Sequence, residues 1–237
     1  MKIKICGLFR EEDIDYVNEA RPDYCGFVFA PSKRQVSPAL AARLRRRLAD
    51  GIAPVGVFID APATDIAALY RDGVISLAQL HGTEDEAFVA LLKEENGATP
   101  IPVIKVIKSE SLNTLAQRYG GKTEEEHRTE AQGHREQRKH EDLAQRHGGT
   151  EENVDYYLLD SGAGSGKTFN WDLLKPSHSP FNKPWFLAGG IGIDNIEQAM
   201  ALNPFAIDVS SGAETHGVKD REKILRLTEI VRKGNKE

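Results

Sequence analysis

Two side chains capable of acid–base chemistry end predicted strands: the thiol of Cys6 and the carboxyl of Asp160. In residues 2–6 polar and apolar side chains alternate, and this period of two places Lys4 and Cys6 on one face of the strand. A thiol there can act as a general base, and a nearby cation would lower its pKa. A carboxylate at the end of a buried strand is costly unless it is paired or functional. We therefore predict functional roles for Cys6 and Asp160, whereas Cys25, among apolar neighbours, is predicted to be core.

A glycine-rich loop follows Asp160 at residues 161–168 and ends in Gly-Lys-Thr. A nucleotide-binding P-loop would need glycine where Ser161 stands, and a long helix directly after the loop. Pro176 limits any such helix to about one turn. We interpret the loop as a lid over a ligand site, with a loop that has no ligand role as the alternative.

Glycines and serines follow two later strands, at Gly189 and Gly190 and at Ser210, Ser211 and Gly212. If these strands are the seventh and eighth of a barrel, their loops are the usual place for a phosphate group. Backbone N–H groups and hydroxyls can hold a phosphate there without a lysine. Ordinary turn chemistry is the alternative. We predict that these five residues bind phosphate.

Further charged residues flank this site. The planar guanidinium of Arg34 suits a carboxylate, although a solvated surface arginine is an equal possibility from the sequence. Lys4, Lys105 and Asp208 lie on predicted inward faces of their strands. We expect Lys4 and Asp208 to form an internal ion pair, and the alternative is that one of these strands is phased wrongly. If the pair forms, its field would acidify Cys6.

Alternating strands and helices must position these residues. Strands are predicted at 3–6, 24–29, 54–59, 77–80, 103–107, 155–160, 185–188 and 206–209. Amphipathic helices are predicted at 11–20, 38–49, 62–71, 84–95, 194–201 and 219–233. Such alternation indicates a parallel sheet with right-handed crossovers, and eight units over residues 1–237 predict one (β/α)8 TIM barrel domain. The active site of such a barrel lies at the carboxyl ends of its strands.

Residues 119–152 do not fit this pattern, because they are strongly polar and contain four of the seven histidines. Residues 115–121 recur almost unchanged at 143–149. We interpret this stretch as a partly duplicated insertion after the fifth helix, exposed as a helical or disordered excursion. Its histidines are predicted to be solvated rather than to bind a metal.

Deleting residues 115–142, which removes one copy of the repeat, should leave kcat nearly unchanged. An insertion between a helix and the next strand lies at the opposite end of the barrel from the active site. Steady-state kinetics of the deletion variant test this placement, and a large loss or gain in kcat would contradict it.

The length, charge and cysteine content of the chain exclude several classes of protein. The chain has 237 residues and a formal net charge of −5, with no sustained basic stripe, so neither nucleic acid nor an anionic membrane is an expected partner. No segment approaches the roughly 20 apolar residues of a membrane span. Two cysteines make a poor disulfide framework. We predict a cytoplasmic protein, with monomer and homodimer both open.

Several sequence segments together resemble the phosphoribosylanthranilate isomerase family. The resemblance rests on residues 4–7, 26–29, 32–34, 37–38, 55–58, 79–82, 159–160, 164–169 and 208–212. It implies an Amadori rearrangement of N-(5-phosphoribosyl)anthranilate, with no metal and no organic cofactor. Asp160 would then be the general acid on the ring oxygen and Cys6 the general base at C2. Arg34 would hold the anthranilate carboxylate, and the residues after the last two strands would hold the phosphate.

Two alternatives share this fold. The related histidine-pathway isomerase performs the same rearrangement on a larger substrate with two phosphates, but that family uses aspartates as both acid and base. Cys6 argues against it. A non-catalytic barrel that binds a phosphorylated ligand is the other alternative, and the presence of both Cys6 and Asp160 argues against that.

Overall fold

The structure, a computed structural model, describes residues 1–97, 99–108, 153–160 and 183–234. The barrel strands are β1 (Lys2–Cys6), β2 (Tyr24–Val28), β3 (Ala53–Phe58), β4 (Leu77–Leu80), β5 (Val103–Lys108), β6 (Tyr156–Asp160), β7 (Trp185–Ala188) and β8 (Ala206–Val209). The α-helices of the described residues are α1 (Glu11–Ala20), α2 (Pro38–Arg47), α3 (Ala63–Arg71), α4 (Glu86–Glu94), α5 (Ile196–Ala201) and α6 (Arg221–Gly234). The predicted insertion at 119–152 and the predicted lid at 161–168 lie outside the described residues.

The eight strands close into a barrel in sequence order, and every neighbouring pair is parallel. The closing pair joins β1 to β8, with Lys4 opposite Asp208. Each strand agrees with its predicted bounds to within one residue at either end. The predicted (β/α)8 barrel is therefore confirmed.

Apolar side chains form two layers, one on each side of the strands. The outer layer fills the space between barrel and helices and contains Ile3 and Ile5, which confirms that Lys4 and Cys6 face inward. Cys25 also lies in the outer layer and is fully buried, as predicted. The inner layer consists of Tyr24, Val55, Leu77, Ile104, Val106, Leu158, Phe186, Ala188 and Ala206. Side chains thus fill the barrel interior and support the residues at its carboxyl end.

The prediction that Lys105 lies on the inward face of its strand is wrong. Ile104 and Val106 belong to the inner layer, so Lys105 points outward with Val103. Its ammonium reaches Glu84 instead, at 3.0 Å. Four of the six residues of β5 are apolar, on both faces, so a period of two cannot phase this strand.

Helix α4 begins two residues later than predicted, because Asp85 caps the helix and the Glu84 side chain bonds to backbone groups of neighbouring loops. The Asp85 side chain accepts a hydrogen bond from Phe88 N at 2.9 Å and caps the helix. The buried Glu84 carboxylate accepts from Asp60 N at 2.8 Å and from Gly82 N at 3.0 Å. Glu84 therefore ties together the loops after β3 and β4, at the end of the barrel where the site lies.

A small antiparallel ribbon, absent from the sequence prediction, separates β8 from α6. Its strands are β9 (Glu214–Thr215) and β10 (Val218–Lys219), and a short 3-10 helix, Ser211–Ala213, leads into it. Lys219, predicted to begin the last helix, lies in β10 instead. The helix begins at Arg221 because the Asp220 side chain accepts from Lys223 N at 3.1 Å and acts as its cap.

Candidate active site

A pocket of about 410 Å³ opens at the carboxyl ends of the barrel strands. Its lining includes seven of the eight predicted site residues, namely Cys6, Arg34, Asp160, Gly189, Gly190, Ser210 and Ser211. The eighth, Gly212, is not part of the lining. A thiol from β1 and a carboxylate from β6 therefore share one cavity.

Cys6 is the last residue of β1 and is 8% exposed. Its partner across the sheet is Gly26 of β2, and a Cβ on Gly26 would lie 2.7 Å from the Cys6 sulfur. Glycine at position 26 therefore makes the space that the thiol occupies.

The pKa of the Cys6 thiol is raised, contrary to the expectation that nearby cations acidify it. Burial raises this pKa more than the ammonium groups of Lys4 and Lys219 lower it, and the Asp208 carboxylate raises it further. The Asp208 carboxylate thus offsets part of the effect of the Lys4 ammonium on Cys6. In the unliganded protein Cys6 is consequently a neutral thiol at neutral pH.

Replacing Gly26 with alanine should lower both stability and kcat. The added methyl group would force the Cys6 sulfur aside, and overpacking of this kind costs about 1–3 kcal/mol. Urea unfolding and steady-state kinetics together measure the two effects. Unchanged stability and unchanged turnover in Gly26→Ala would show that the close approach to Cys6 is unimportant.

A buried polar triad supports Cys6 from within the barrel. The Lys4 ammonium, fully buried, donates to Gln79 Oε1 at 2.6 Å and to Asp208 Oδ2 at 2.9 Å. The predicted Lys4–Asp208 ion pair is thereby confirmed. Burial alone would lower the pKa of Lys4, but the charge and hydrogen bond of Asp208, together with the interaction with Cys6, outweigh burial, and the pKa is raised. Asp208 Oδ1 has no hydrogen-bond partner among the described residues, and Asp208 lines the pocket.

Asp160 ends β6 with its side chain 26% exposed, on the same pocket wall as Leu158. His81 follows β4 directly and also lines the pocket, and its Nε2 lies 3.5 Å from Asp160 Oδ2. His81 was not among the predicted site residues, although it lies one residue beyond the end of β4, at the same end of the barrel as Cys6 and Asp160. The two side chains are close enough for an electrostatic interaction.

Arg34 lies in the loop after β2, and its guanidinium is paired with Glu214 of the ribbon. Nε is 2.6 Å from Glu214 Oε1 and Nη2 is 2.8 Å from Oε2. This bidentate bond raises the pKa of Arg34, so the side chain stays charged. Gly7, at φ +86°, leaves room for the arginine, because a Cβ there would lie 2.5 Å from Arg34 Cδ. Arg34 is therefore ordered at the pocket edge rather than solvated.

The loop after β7 depends on its two glycines. Gly189 and Gly190 have φ of +101° and +64°, values that non-glycine residues rarely adopt. Asn195 fixes the loop, since its Nδ2 donates to Gly190 O at 3.1 Å and its Oδ1 accepts from Gly192 N at 2.8 Å. The two predicted phosphate residues of this loop thus sit in a turn with a defined shape.

The loop after β8 packs closely against the loop after β7. Any side chain on Gly212 would collide with the carbonyl oxygen of Ile191 and with the Cα of Gly192. Gly212 therefore permits the contact between the two loops and does not itself face the pocket. The carbonyl of Ser210 accepts from the Lys219 ammonium at 3.0 Å, which fixes the start of the loop. Lys219 and Glu214 were both missed by the sequence analysis.

Comparisons with known proteins identify the family of the chain. The sequence profile of the family described as N-(5'-phosphoribosyl)anthranilate (PRA) isomerase matches residues 3–127 and 123–230. An N-(5'-phosphoribosyl)anthranilate isomerase from Endomicrobium trichonymphae is 40% identical over 237 residues, which covers 98% of each chain.

Solved structures of such enzymes share the fold. The phosphoribosyl anthranilate isomerase of Thermotoga maritima superposes with a TM-score of 0.74 at 29% identity, covering 99% of each chain. Another, in complex with reduced 1-(o-carboxyphenylamino)-1-deoxyribulose 5-phosphate, superposes with a TM-score of 0.69 at 28% identity over 98% of this chain and 99% of its own. The chain belongs to the N-(5'-phosphoribosyl)anthranilate isomerase family.

Proposed function

We propose that the chain converts N-(5'-phosphoribosyl)anthranilate to 1-(2-carboxyphenylamino)-1-deoxyribulose 5-phosphate, a step of tryptophan biosynthesis. The observation that carries this proposal is that Cys6 and Asp160 line one pocket at the mouth of the barrel. Family membership supports the same reaction. An Amadori rearrangement needs one acid and one base on the same substrate, and these two side chains supply both.

The reaction begins at the ring oxygen of the ribose. Asp160 donates a proton to this oxygen while the bond between C1 and the oxygen breaks, and the anthranilate nitrogen forms a protonated Schiff base with C1. His81, 3.5 Å from the carboxyl group, is placed to return a proton to Asp160 between turnovers. The substrate now carries a positive charge beside C2.

Cys6 then removes the proton from C2 as a thiolate, which leaves an enolamine. The enolamine takes up a proton at C1 while the hydroxyl on C2 gives up its proton, and the ketone product results. Burial raises the pKa of Cys6 in the unliganded protein, so the thiolate must be stabilised by the substrate. The Schiff-base cation, formed in the same pocket, provides the opposite charge that favours the thiolate.

Two anchors hold the substrate at either end. We assign the phosphate to Gly189, Gly190, Ser210 and Ser211, whose loops pack together through Gly212. We assign the anthranilate carboxylate to Arg34, whose guanidinium is charged and lines the pocket. The reacting carbons lie between the two anchors.

A direct test follows the fluorescence of phosphoribosylanthranilate as it is consumed by the purified protein. The proposal requires rapid loss of this signal that depends on Cys6 and on Asp160. A protein that binds the substrate without consuming it would instead be a non-catalytic barrel. Consumption of the two-phosphate substrate of the histidine pathway in its place would assign the chain to that reaction.

Replacing Arg34 with glutamine should raise KM for phosphoribosylanthranilate by about 10- to 100-fold and change kcat much less. The lost interaction is a charge-assisted hydrogen bond to a carboxylate, worth about 1.5–3 kcal/mol. Arg43→Gln is the matched control, because Arg43 is an exposed arginine on α2 that pairs with Glu11. If Arg34→Gln keeps the wild-type KM, the carboxylate lies elsewhere.

The remaining expectations concern partners and location. No helix in the described part of the chain is long and apolar enough to cross a membrane. Cys6 and Cys25 are both unbridged, which fits a reducing compartment. A cytoplasmic location, and a monomer or homodimer, stay predictions.

A further inference from the structure

The cluster formed by Arg34, Glu214 and Lys219 is more elaborate than a carboxylate anchor requires. Glu214 bonds both Nε and Nη2 of Arg34, at 2.6 and 2.8 Å, and its Oε1 also accepts from the Lys219 ammonium at 2.6 Å. The Lys219 side chain is fully buried and that of Glu214 is 6% exposed. Burying two charges behind a third is costly unless their arrangement contributes something specific.

The geometry divides the guanidinium into two edges. A guanidinium has five N–H donors, and Glu214 takes one on Nε and one on Nη2. The two donors of Nη1 have no acceptor among the described residues, and neither has the second donor of Nη2. Arg34 lines the pocket, whereas Glu214 and Lys219 do not. The edge formed by Nε and Nη2 is thus bound to Glu214, and the other edge is available to a planar carboxylate of a ligand.

Glu214 is itself fixed from several sides. The Lys223 ammonium donates to its backbone carbonyl at 2.7 Å. Lys219 also donates to Ser210 O at 3.0 Å, which links the cluster to the loop assigned to phosphate. Burial raises the pKa of Glu214, but the hydrogen bonds and charges of Arg34 and Lys219 outweigh burial, and the pKa is lowered. Glu214 is therefore ionised and stationary.

We propose that Glu214 is a positioning residue that orients Arg34 for the aryl carboxylate of the substrate. This inference rests on the proposed carboxylate site at Arg34. Lys219 balances the charge of Glu214, so the cluster keeps one net positive charge for the incoming anion. Pre-orienting the guanidinium removes the cost of ordering a long flexible side chain when the substrate binds.

The Glu214→Gln variant distinguishes the effect of orienting Arg34 from the effect of the net charge of the cluster. The amide keeps an oxygen that accepts from Lys219, but its NH2 group cannot accept from Arg34. The variant also adds one unit of positive charge to the cluster. Coulomb attraction alone would therefore tighten the binding of a carboxylate, whereas loss of orientation would weaken it.

The experiment measures, by calorimetry, the affinity of two ligands for each variant. One is the reduced product analogue, which carries the aryl carboxylate, and the other is the same molecule without its carboxyl group. We expect Glu214→Gln to weaken the first about tenfold and to leave the second unchanged, with KM raised more than kcat is lowered. Glu222→Gln is the control, because Glu222 is an exposed glutamate that pairs with Arg221.

Three results would overturn the assignment of Glu214. They are tighter binding of the carboxylate ligand, unchanged binding of it, and equal weakening of both ligands, the last of which indicates general damage. Thermal unfolding verifies that the variant is folded. The Arg34 site is tested separately by the wild type and Arg34→Gln: if the wild type does not favour the carboxylate ligand, or if Arg34→Gln keeps that preference, the carboxylate site itself is wrong.

Discussion

Replacing Cys6 with serine is expected to lower kcat by about 10²- to 10⁴-fold while substrate-analogue binding stays near the wild-type value. A serine hydroxyl fits the same space beside Gly26 but does not ionise under these conditions, so the base at C2 is lost. Single-turnover kinetics measure the chemical step directly. Cys25→Ala is the matched control, because Cys25 is buried in the outer layer and burial raises the pKa of its thiol to about 12.

The pH dependence gives a second measure of the same role. The reaction needs the thiolate, and the pKa of Cys6 is raised in the unliganded protein. In the wild type kcat/KM should therefore keep rising with pH beyond the range in which an ordinary cysteine ionises. This alkaline rise should be absent from Cys6→Ser. Near-normal turnover in Cys6→Ser would remove Cys6 from the mechanism.

Replacing Asp160 with asparagine should reduce kcat by a similar factor, about 10²- to 10⁴-fold. The amide keeps the size of the side chain and its place at the end of β6, but it has no acidic proton for the ring oxygen. Stopped-flow fluorescence of phosphoribosylanthranilate follows the loss of turnover. Analogue affinity should change little, because the anchors at both ends of the substrate are intact.

Asp155→Asn is the control for Asp160, because Asp155 precedes the same strand at the other end of the barrel. There it accepts from Val103 N at 2.8 Å and from the Lys93 ammonium at 2.9 Å. Asp155→Asn should lower stability and keep kcat. If instead Asp160→Asn retains most of the wild-type kcat, the ring oxygen takes its proton from another group, and His81 is the nearest candidate.

The strands were predictable from the sequence, and their inward faces were predictable where the apolar residues occupy only one face of the strand. In β1, Ile3 and Ile5 alternate with Lys4 and Cys6, and only one phase buries the isoleucines against the helices. In β5, apolar residues occupy both faces, so the phase of Lys105 was not determined by the sequence. Its true partner, Glu84, lies 21 residues away and was assigned to a helix.

The chemistry of the site was predictable only where it depends on strand ends. Cys6 and Asp160 follow this rule, and so does His81, which the same rule could have identified. The contact between Arg34 and Glu214 spans 180 residues and joins a loop to a two-residue strand, so no local sequence pattern predicts it. The direction of the Cys6 pKa was wrong because the sequence shows that a cation is near but not how fully the sulfur is buried.

The Lys4–Asp208 pair has a consequence for the order in which the chain matures on the ribosome. Lys4 is synthesised 204 residues before its carboxylate partner. An ammonium group cannot enter an apolar interior without that partner except at a cost of several kcal/mol, about the whole net stability of a domain. We therefore expect nascent chains that lack β8 to keep Lys4 in contact with water, and the barrel to close only after β8 has been made.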